Sequence, residues 1–377
     1  MRRLGGAGLI GALLLVTACS NDGGGGAAAT TTTAPDTSPR LDQIQLLASH
    51  NSTHIQGPKA LLDAITAALP SLTPTIEYTH PTITQQLELG LRGFELDLFE
   101  DPTGGRYASP KAVSLLKLPA TDPAMKTPGF KVMHIQEVDY LSRCPTFVGC
   151  LTEMKTWAKA HPHHLPIVIH LEAKDGVIPD PLKLGFVQPI PVSQATFTGI
   201  EKEIRSVLSD DELVTPKLVQ GDHATLREAI ETVGWPRVDS LRGKFLFVLD
   251  DHDGKRDVYR ALHPDTRDRL IFVDAQPPAD DAAFTVLNDP KVDGAKIKEL
   301  VAEHYLVRTR ADADTVEARA GDTSRRDAAF AGGAQIVSTD YEQADPRWPT
   351  YVVDLPGTTT DRCNPVTRPP DCKDPTD

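Results

Sequence analysis

Ile44-Gln45-Leu46-Leu47-Ala48-Ser49-His50-Asn51-Ser52-Thr53-His54 is an apolar run that stops abruptly in polar side chains. Residues 44–49 have the composition of a short buried strand. A histidine and an amide follow at once. A group able to move a proton near neutral pH thus stands beside a hard, neutral oxygen donor suited to Ca²⁺ or Mg²⁺. Alone, a His-Asn pair at a strand end is also ordinary turn chemistry. Working outward from it, the rest of the chain decides, because the same design recurs.

Further apolar runs rich in β-type residues cover 90–99, 130–135, 165–172, 244–250, 270–274, 305–310 and 334–339, which with 44–49 makes eight strand candidates. Helical patterns at 151–160, 199–208 and 224–233 separate several of them. Near-continuous apolar strands alternating with helices indicate a parallel sheet covered on its faces. Eight such units predict an α/β fold, a closed (β/α)8 barrel of TIM type forming one catalytic domain. A doubly wound open sheet is the alternative, but no glycine-rich phosphate turn follows the first strand. The Pro-, Gly- and Thr-rich stretches 101–129 and 174–198 read as long rim loops.

In such a barrel, reactive side chains gather where strands end. Glu95 and Asp97 lie two apart in Gly93-Phe94-Glu95-Leu96-Asp97 and so share one face of a strand. Two carboxylates there repel unless something positive lies between them, and a divalent cation is the natural answer. An exposed edge strand with solvated acids is the plain alternative, disfavoured by the apolar neighbours Leu91, Phe94, Leu96, Leu98 and Phe99. His134 interrupts Val132-Met133-His134-Ile135 at the position matching His50. In the run ending His170-Leu171-Glu172-Ala173-Lys174, period two places His170, Glu172 and Lys174 on one face. Glu172 can add an oxygen ligand, Lys174 can meet an anionic substrate, and His170 lies deeper, as a structural group. Arg308 and Arg310 share a face and can contact a phosphate or a carboxylate partner. Asp340 can hold a substrate hydroxyl or orient an arginine. His54, His80, His223 and Asp250 receive no role.

The chain has 377 residues, 40% of them hydrophobic, and a net charge of −13. That balance argues against nucleic acid as a partner and against purely electrostatic docking on anionic lipid. Arg2 and Arg3, the apolar run 9–16 and the sequence Leu15-Val16-Thr17-Ala18-Cys19 read as an export leader (1–19) whose Cys19 becomes lipidated. An ordinary secretory leader cut near Ala18 is the alternative. Residues 20–40 read as a flexible tether, 41–345 as the barrel and 346–377 as a C-terminal tail. Cys144, Cys150, Cys363 and Cys372 remain, an even count that in an exported chain reads as disulfides. Three connectivities are open, of which Cys144–Cys150 and Cys363–Cys372 are the simplest. No histidine lies at zinc-finger spacing.

HNSTH, GFELDLF, VMH and HLEAKD, in that order, resemble the calcium-dependent phosphoinositide-specific phospholipase C family, in particular its small secreted bacterial branch. LVRTRADADT and GAQIVSTDYE resemble the closing strands of the wider phosphodiesterase superfamily. The resemblance implies a barrel with Ca²⁺ at its mouth, held by Asn51, Glu95, Asp97 and Glu172. His50 would be the acid or base at the inositol 2-hydroxyl, and His134 would assist the phosphorane and the leaving alkoxide. Lys174, Arg308, Arg310 and Asp340 stand as substrate contacts. The implied reaction cleaves phosphatidylinositol to diacylglycerol and a cyclic inositol phosphate, which water can later open. The implied partner is a phospholipid at a membrane surface, met by an exported monomer, with no nucleic acid. Two other functions fit the same barrel: a glycerophosphodiesterase that uses water, and a non-catalytic surface protein braced by calcium.

Overall fold

A computed structural model describes residues 36–180, 182–252, 254–357 and 361–375. The leader, Cys19 and most of the expected tether lie outside the described residues. Eleven strands form one sheet: β1 Ile44–Ser49, β2 Gly93–Phe99, β3 Lys131–Val132, β4 Ile167–Ala173, β5 Leu213–Val214, β6 Phe245–Leu249, β7 Phe272–Val273, β8 Phe284–Val286, β9 Leu306–Arg310, β10 Ile336–Thr339 and β11 Asp361–Cys363. Eight of them follow one another in parallel around a ring: β1, β2, β4, β6, β7, β8, β9, β10 and back to β1. This is the expected (β/α)8 barrel. Its core strands are buried on both faces, which is why they are legible as unbroken apolar runs.

Two seams are thin. Strands β7 and β8 meet in the single bridge Asp274↔Phe284, and β1 meets β2 at Ala48↔Gly93. Below that second pair, β11 lies antiparallel against residues 44–46 of β1. The segment expected as a tail thus contributes a strand to the sheet, and its Tyr351, Val353 and Leu355 are buried. The end of the expected tether is docked as well: Val238 N donates to Pro39 O (2.9 Å), and Arg40 Nη1 donates to Trp235 O (2.8 Å). Disulfides join Cys144 to Cys150 and Cys363 to Cys372.

The expected third strand requires correction. β2 pairs directly with β4 over six register positions, and residues 131–132 form an antiparallel addition to the end of β2 instead of a barrel stave. The missing stave is Phe284–Val286, too short and too flanked by acids to stand out. No described helix is long and apolar enough to cross a membrane.

At the β1–β2 seam the strands touch through a glycine. A Cβ at Gly93 would sit 2.4 Å from Ala48 Cβ, so the pair closes only because residue 93 lacks a side chain. Gly93→Ala is expected to lower stability by roughly 1–3 kcal/mol through overpacking, read as a shift in the urea midpoint without a change in slope.

Candidate active site and acidic metal bay

Strand ends on the C-terminal face bring the reactive groups together, with the turn after β1 as anchor. Asn51 has φ +46°, a left-handed conformation that asparagine tolerates better than most residues. This bends the chain back over the barrel. Ser52 then stitches the turn to β2: its N–H donates to Glu95 O (3.0 Å), and its hydroxyl accepts from Glu95 N (2.7 Å). His50 and Asn51 are thereby fixed relative to Glu95.

His50, with 16% of its side chain exposed, hydrogen-bonds through Nδ1 to Asp340 Oδ1 at 2.8 Å. Asp340 also accepts from Arg310 Nη2 at 3.2 Å. Burial and the nearby Arg310 lower the His50 pKa, against Asp340 and Glu95, which favours the neutral imidazole. Burial opposes ionisation of Asp340, but His50, Arg310 and His80 outweigh it and hold that carboxyl well below the usual range.

His134 is reached differently. Because β3 runs antiparallel to β2, Met133 N meets Asp97 O (3.3 Å) and His134 stands beside the carboxylates. His134 Nδ1 bonds Asp139 Oδ2 at 2.7 Å, and both oxygens of Asp139 lie 2.9 Å from His54 Nε2. Burial disfavours the charged ring of His134, yet the Asp139 hydrogen bond prevails and raises its pKa. The two histidines are thus pushed in opposite directions.

Asn51, Glu95, Asp97 and His134 line one small cavity. Oxygens of Glu95, Asp97 and Glu172 approach within 4.8 Å of one another. Neither buried oxygen of Asp97 makes a hydrogen bond, and burial, beyond what Lys174 offsets, raises its pKa to about 7. A buried carboxylate that lacks hydrogen bonds, in a cluster of carboxylate oxygens, is what a hard divalent cation would satisfy, so these residues fit Ca²⁺. Lys174 turns its ammonium into the same bay, 3.2 Å from Asp97 and 3.1 Å from Glu172. Arg308 takes Glu95, Asp250 (3.3 Å) and Asn288 (2.8 Å) as partners. His170 lies beside Glu95 on the neighbouring strand β4, in register with it and against Phe284, and burial first of all lowers its pKa to about 3, so it is a neutral core group.

The sequence reading missed several residues of this cluster. His54 stacks on Tyr78 (centroids 4.2 Å), and Tyr78 Oη accepts from Asn51 Nδ2 at 2.9 Å. His80, fully buried, bonds Glu342 through Nδ1 and the carbonyl of His50 through Nε2 at 2.8 Å. Neither histidine interrupts an apolar run, and Glu342 is 262 residues from His80; a better signal was the density of polar residues just beyond each strand. Burial opposes protonation of His80, but Glu342 raises its pKa to about 9, above the usual value of 6.5. The stabilisation from this pair is therefore complete below about pH 6.5 and is lost as the pH rises through about 9. A melting-temperature series from pH 6.5 to 10 is expected to fall along that leg, and His80→Gln to flatten it.

The family model described as "Phosphoinositide phospholipase C, Ca2+-dependent" matches residues 39–365. Among solved structures, a calcium-dependent phosphoinositol-specific phospholipase C from Pseudomonas sp. superposes with a TM-score of 0.53 at 16% identity, covering 86% of this chain and 95% of that one. A Ca²⁺-dependent phosphatidylinositol-specific phospholipase C from Streptomyces antibioticus gives a TM-score of 0.51 at 20% identity, over 80% of this chain and 94% of that one. At these identities the likeness concerns the fold. No curated protein gives a sequence match.

Proposed function

We propose, because the chain belongs to the Ca²⁺-dependent phosphoinositide phospholipase C family, that this phosphodiesterase cleaves phosphatidylinositol by attack of the inositol 2-hydroxyl on phosphorus. The observation that carries the proposal is geometric. Two histidines flank a bay of three carboxylates, and each is held through Nδ1 by an aspartate.

His50, neutral and anchored at Nδ1, has Nε2 available to take the proton of the 2-hydroxyl. The hydroxyl oxygen forms a bond to phosphorus as the bond to the diacylglycerol oxygen breaks. His134, raised toward its protonated form, gives the Nε2 proton to that leaving oxygen. The products are diacylglycerol and a cyclic inositol phosphate, with His50 protonated and His134 neutral until they exchange the proton with solvent. Environments that push two titratable groups apart divide acid from base work. Asn51, with its amide nitrogen committed to Tyr78, offers its oxygen alongside Glu95, Asp97 and Glu172 to Ca²⁺. When bound, Ca²⁺ supplies Lewis acidity that lowers the hydroxyl pKa and offsets phosphate charge. Arg310, beside His50 and with Nε free of a hydrogen bond, is the cation best placed for the phosphate, whereas Arg308 and Lys174 brace the carboxylates.

Phosphorus NMR of phosphatidylinositol with the purified chain tests this. A cyclic phosphate resonance that appears with calcium and not with chelator is the expected result. A non-cyclic product from the earliest time points would replace the internal hydroxyl with water. The four paired cysteines accord with export to an oxidising compartment.

A further inference from the structure

One buried carboxylate at the mouth of the barrel has no part in the reaction above. Asp312 stands two residues beyond β9 and is fully buried. Burial and the neighbouring Asp340 push its pKa up to about 7. Burying one acid beside another is costly, and such pairs collect where chemistry is done.

The described hydrogen bonds of the Asp312 carboxylate all reach beyond its own loop. Oδ1 accepts from Asp340 N at 2.9 Å, and Oδ2 accepts from the Thr339 hydroxyl. Tyr351 Oη donates to Oδ2 at 3.3 Å. A carboxylate that merely braced the loop after β9 would take donors from that loop. This one takes them from the end of β10 and from the C-terminal segment.

What it grips there is the corner that spaces His50 from its aspartate. Thr339 O accepts from His50 N at 3.0 Å, and Asp340 Oδ1 meets His50 Nδ1 at 2.8 Å. The backbone of His50 thus hangs on residue 339 and its ring on residue 340. Asp312 holds both of these residues, one by its hydroxyl and one by its N–H. Tyr341 N donates to Thr339 Oγ1 at 2.9 Å, which leaves the hydroxyl proton for Asp312. The C-terminal segment closes the assembly. Tyr351 packs edge-on against Tyr341 (centroids 5.4 Å), and Val353 N donates to Tyr341 O at 2.9 Å.

We propose that Asp312 is a positioning residue for proton transfer to His50: it fixes the Thr339–Asp340 corner that aims the imidazole, and Tyr351 fixes Asp312. The proposal rests on the phosphodiesterase reading, in which His50 Nε2 takes the proton of the attacking hydroxyl. Asp312 acts through Asp340 and not on the substrate.

The test uses the purified chain, phosphatidylinositol in mixed micelles and saturating calcium. Asp312→Ala is expected to lower kcat by about a hundredfold, the cost of misplacing a reacting group, with KM near the parent value. Asp312→Asn should restore most of that loss. Its Oδ1 can still accept from Asp340 N, and its Nδ2 can donate to the two hydroxyls. Proton NMR gives a reading that does not depend on turnover. The His50 Nδ1 proton, hydrogen-bonded to Asp340, should give a downfield resonance, assigned by its absence in His50→Ala. Asp312→Ala should lose that resonance and Asp312→Asn keep it. If Asp312→Ala does not fold, Thr339→Val carries the test, since it exchanges the hydroxyl for a methyl; kcat and the resonance should both fall. Either variant, folded, with parental kcat and the resonance in place overturns the proposal. So does an Asp312→Asn enzyme as slow as Asp312→Ala with the resonance retained in both, which would make charge and not placement the contribution. A parent that forms no product overturns the reaction reading, while the resonance still decides whether Asp312 places His50.

Discussion

His50→Ala is expected to lower turnover of phosphatidylinositol by roughly 10²–10⁴-fold, the usual contribution of a positioned general base, and to cost some stability because the buried Asp340 loses its hydrogen bond to His50. Asp340→Asn should approach that loss. Asp340 holds His50 Nδ1 at 2.8 Å and supplies the negative charge that steadies the imidazole as it takes a proton. Two residues acting as one unit are not additive, so the double variant should be scarcely slower than His50→Ala alone. The pH profile gives an independent check. The His50 pKa is lowered and the His134 pKa raised, so activity should rise with pH through the first and fall through the second. His50→Ala should remove the acid limb and His134→Ala the alkaline one. A His50→Ala enzyme with parental kcat and an unaltered profile would remove His50 from the chemistry.

What could be read in advance follows a physical line. β1, β2, β4 and β6 are buried on both faces, and each ends in polar groups, so both their existence and their reactive ends show in the sequence. Residues 130–135 look the same because a short antiparallel addition to a buried strand needs the same apolar side chains; composition carries no information on which neighbour a strand takes. Phe284–Val286 fails for the opposite reason, since three residues give too short a run to exhibit a period. Spacing also found the carboxylate pair Glu95 and Asp97, because period two is a local property. It could not find the groups that hold the histidines in place. Asp139 serves His134 through a turn, Glu342 serves His80 across the barrel, and Asp250 reaches Arg308 from another strand. Those pairings exist only once the ring has closed.

Calcium removal is the other change expected to have a large effect, and Asp97 is where its logic is sharpest. Glu95 has Arg308 to hold it ionised against burial. Asp97 has no hydrogen bond and only the ammonium of Lys174 at 3.2 Å, and its pKa is pushed up to about 7. In the metal-free protein it is a cost; with Ca²⁺ it becomes a ligand. Asp97→Asn should therefore leave the metal-free protein as stable as the parent or more so, since burial disfavours the ionised carboxyl by more than Lys174 restores. It should also abolish the calcium-dependent stabilisation that the parent shows, about 2.7 kcal/mol at a hundred times Kd. Activity should fall by roughly 10²–10⁴, the rate equivalent of the several kcal/mol a Lewis acid contributes, and chelation of the parent should match it. Glu95→Gln should behave differently: it strips Arg308 of its carboxylate at that site, so both metal-free stability and calcium response should drop. A parent whose melting temperature ignores calcium, together with an Asp97→Asn variant of full activity, would mean that the bay is an internal ion-pair network centred on Lys174.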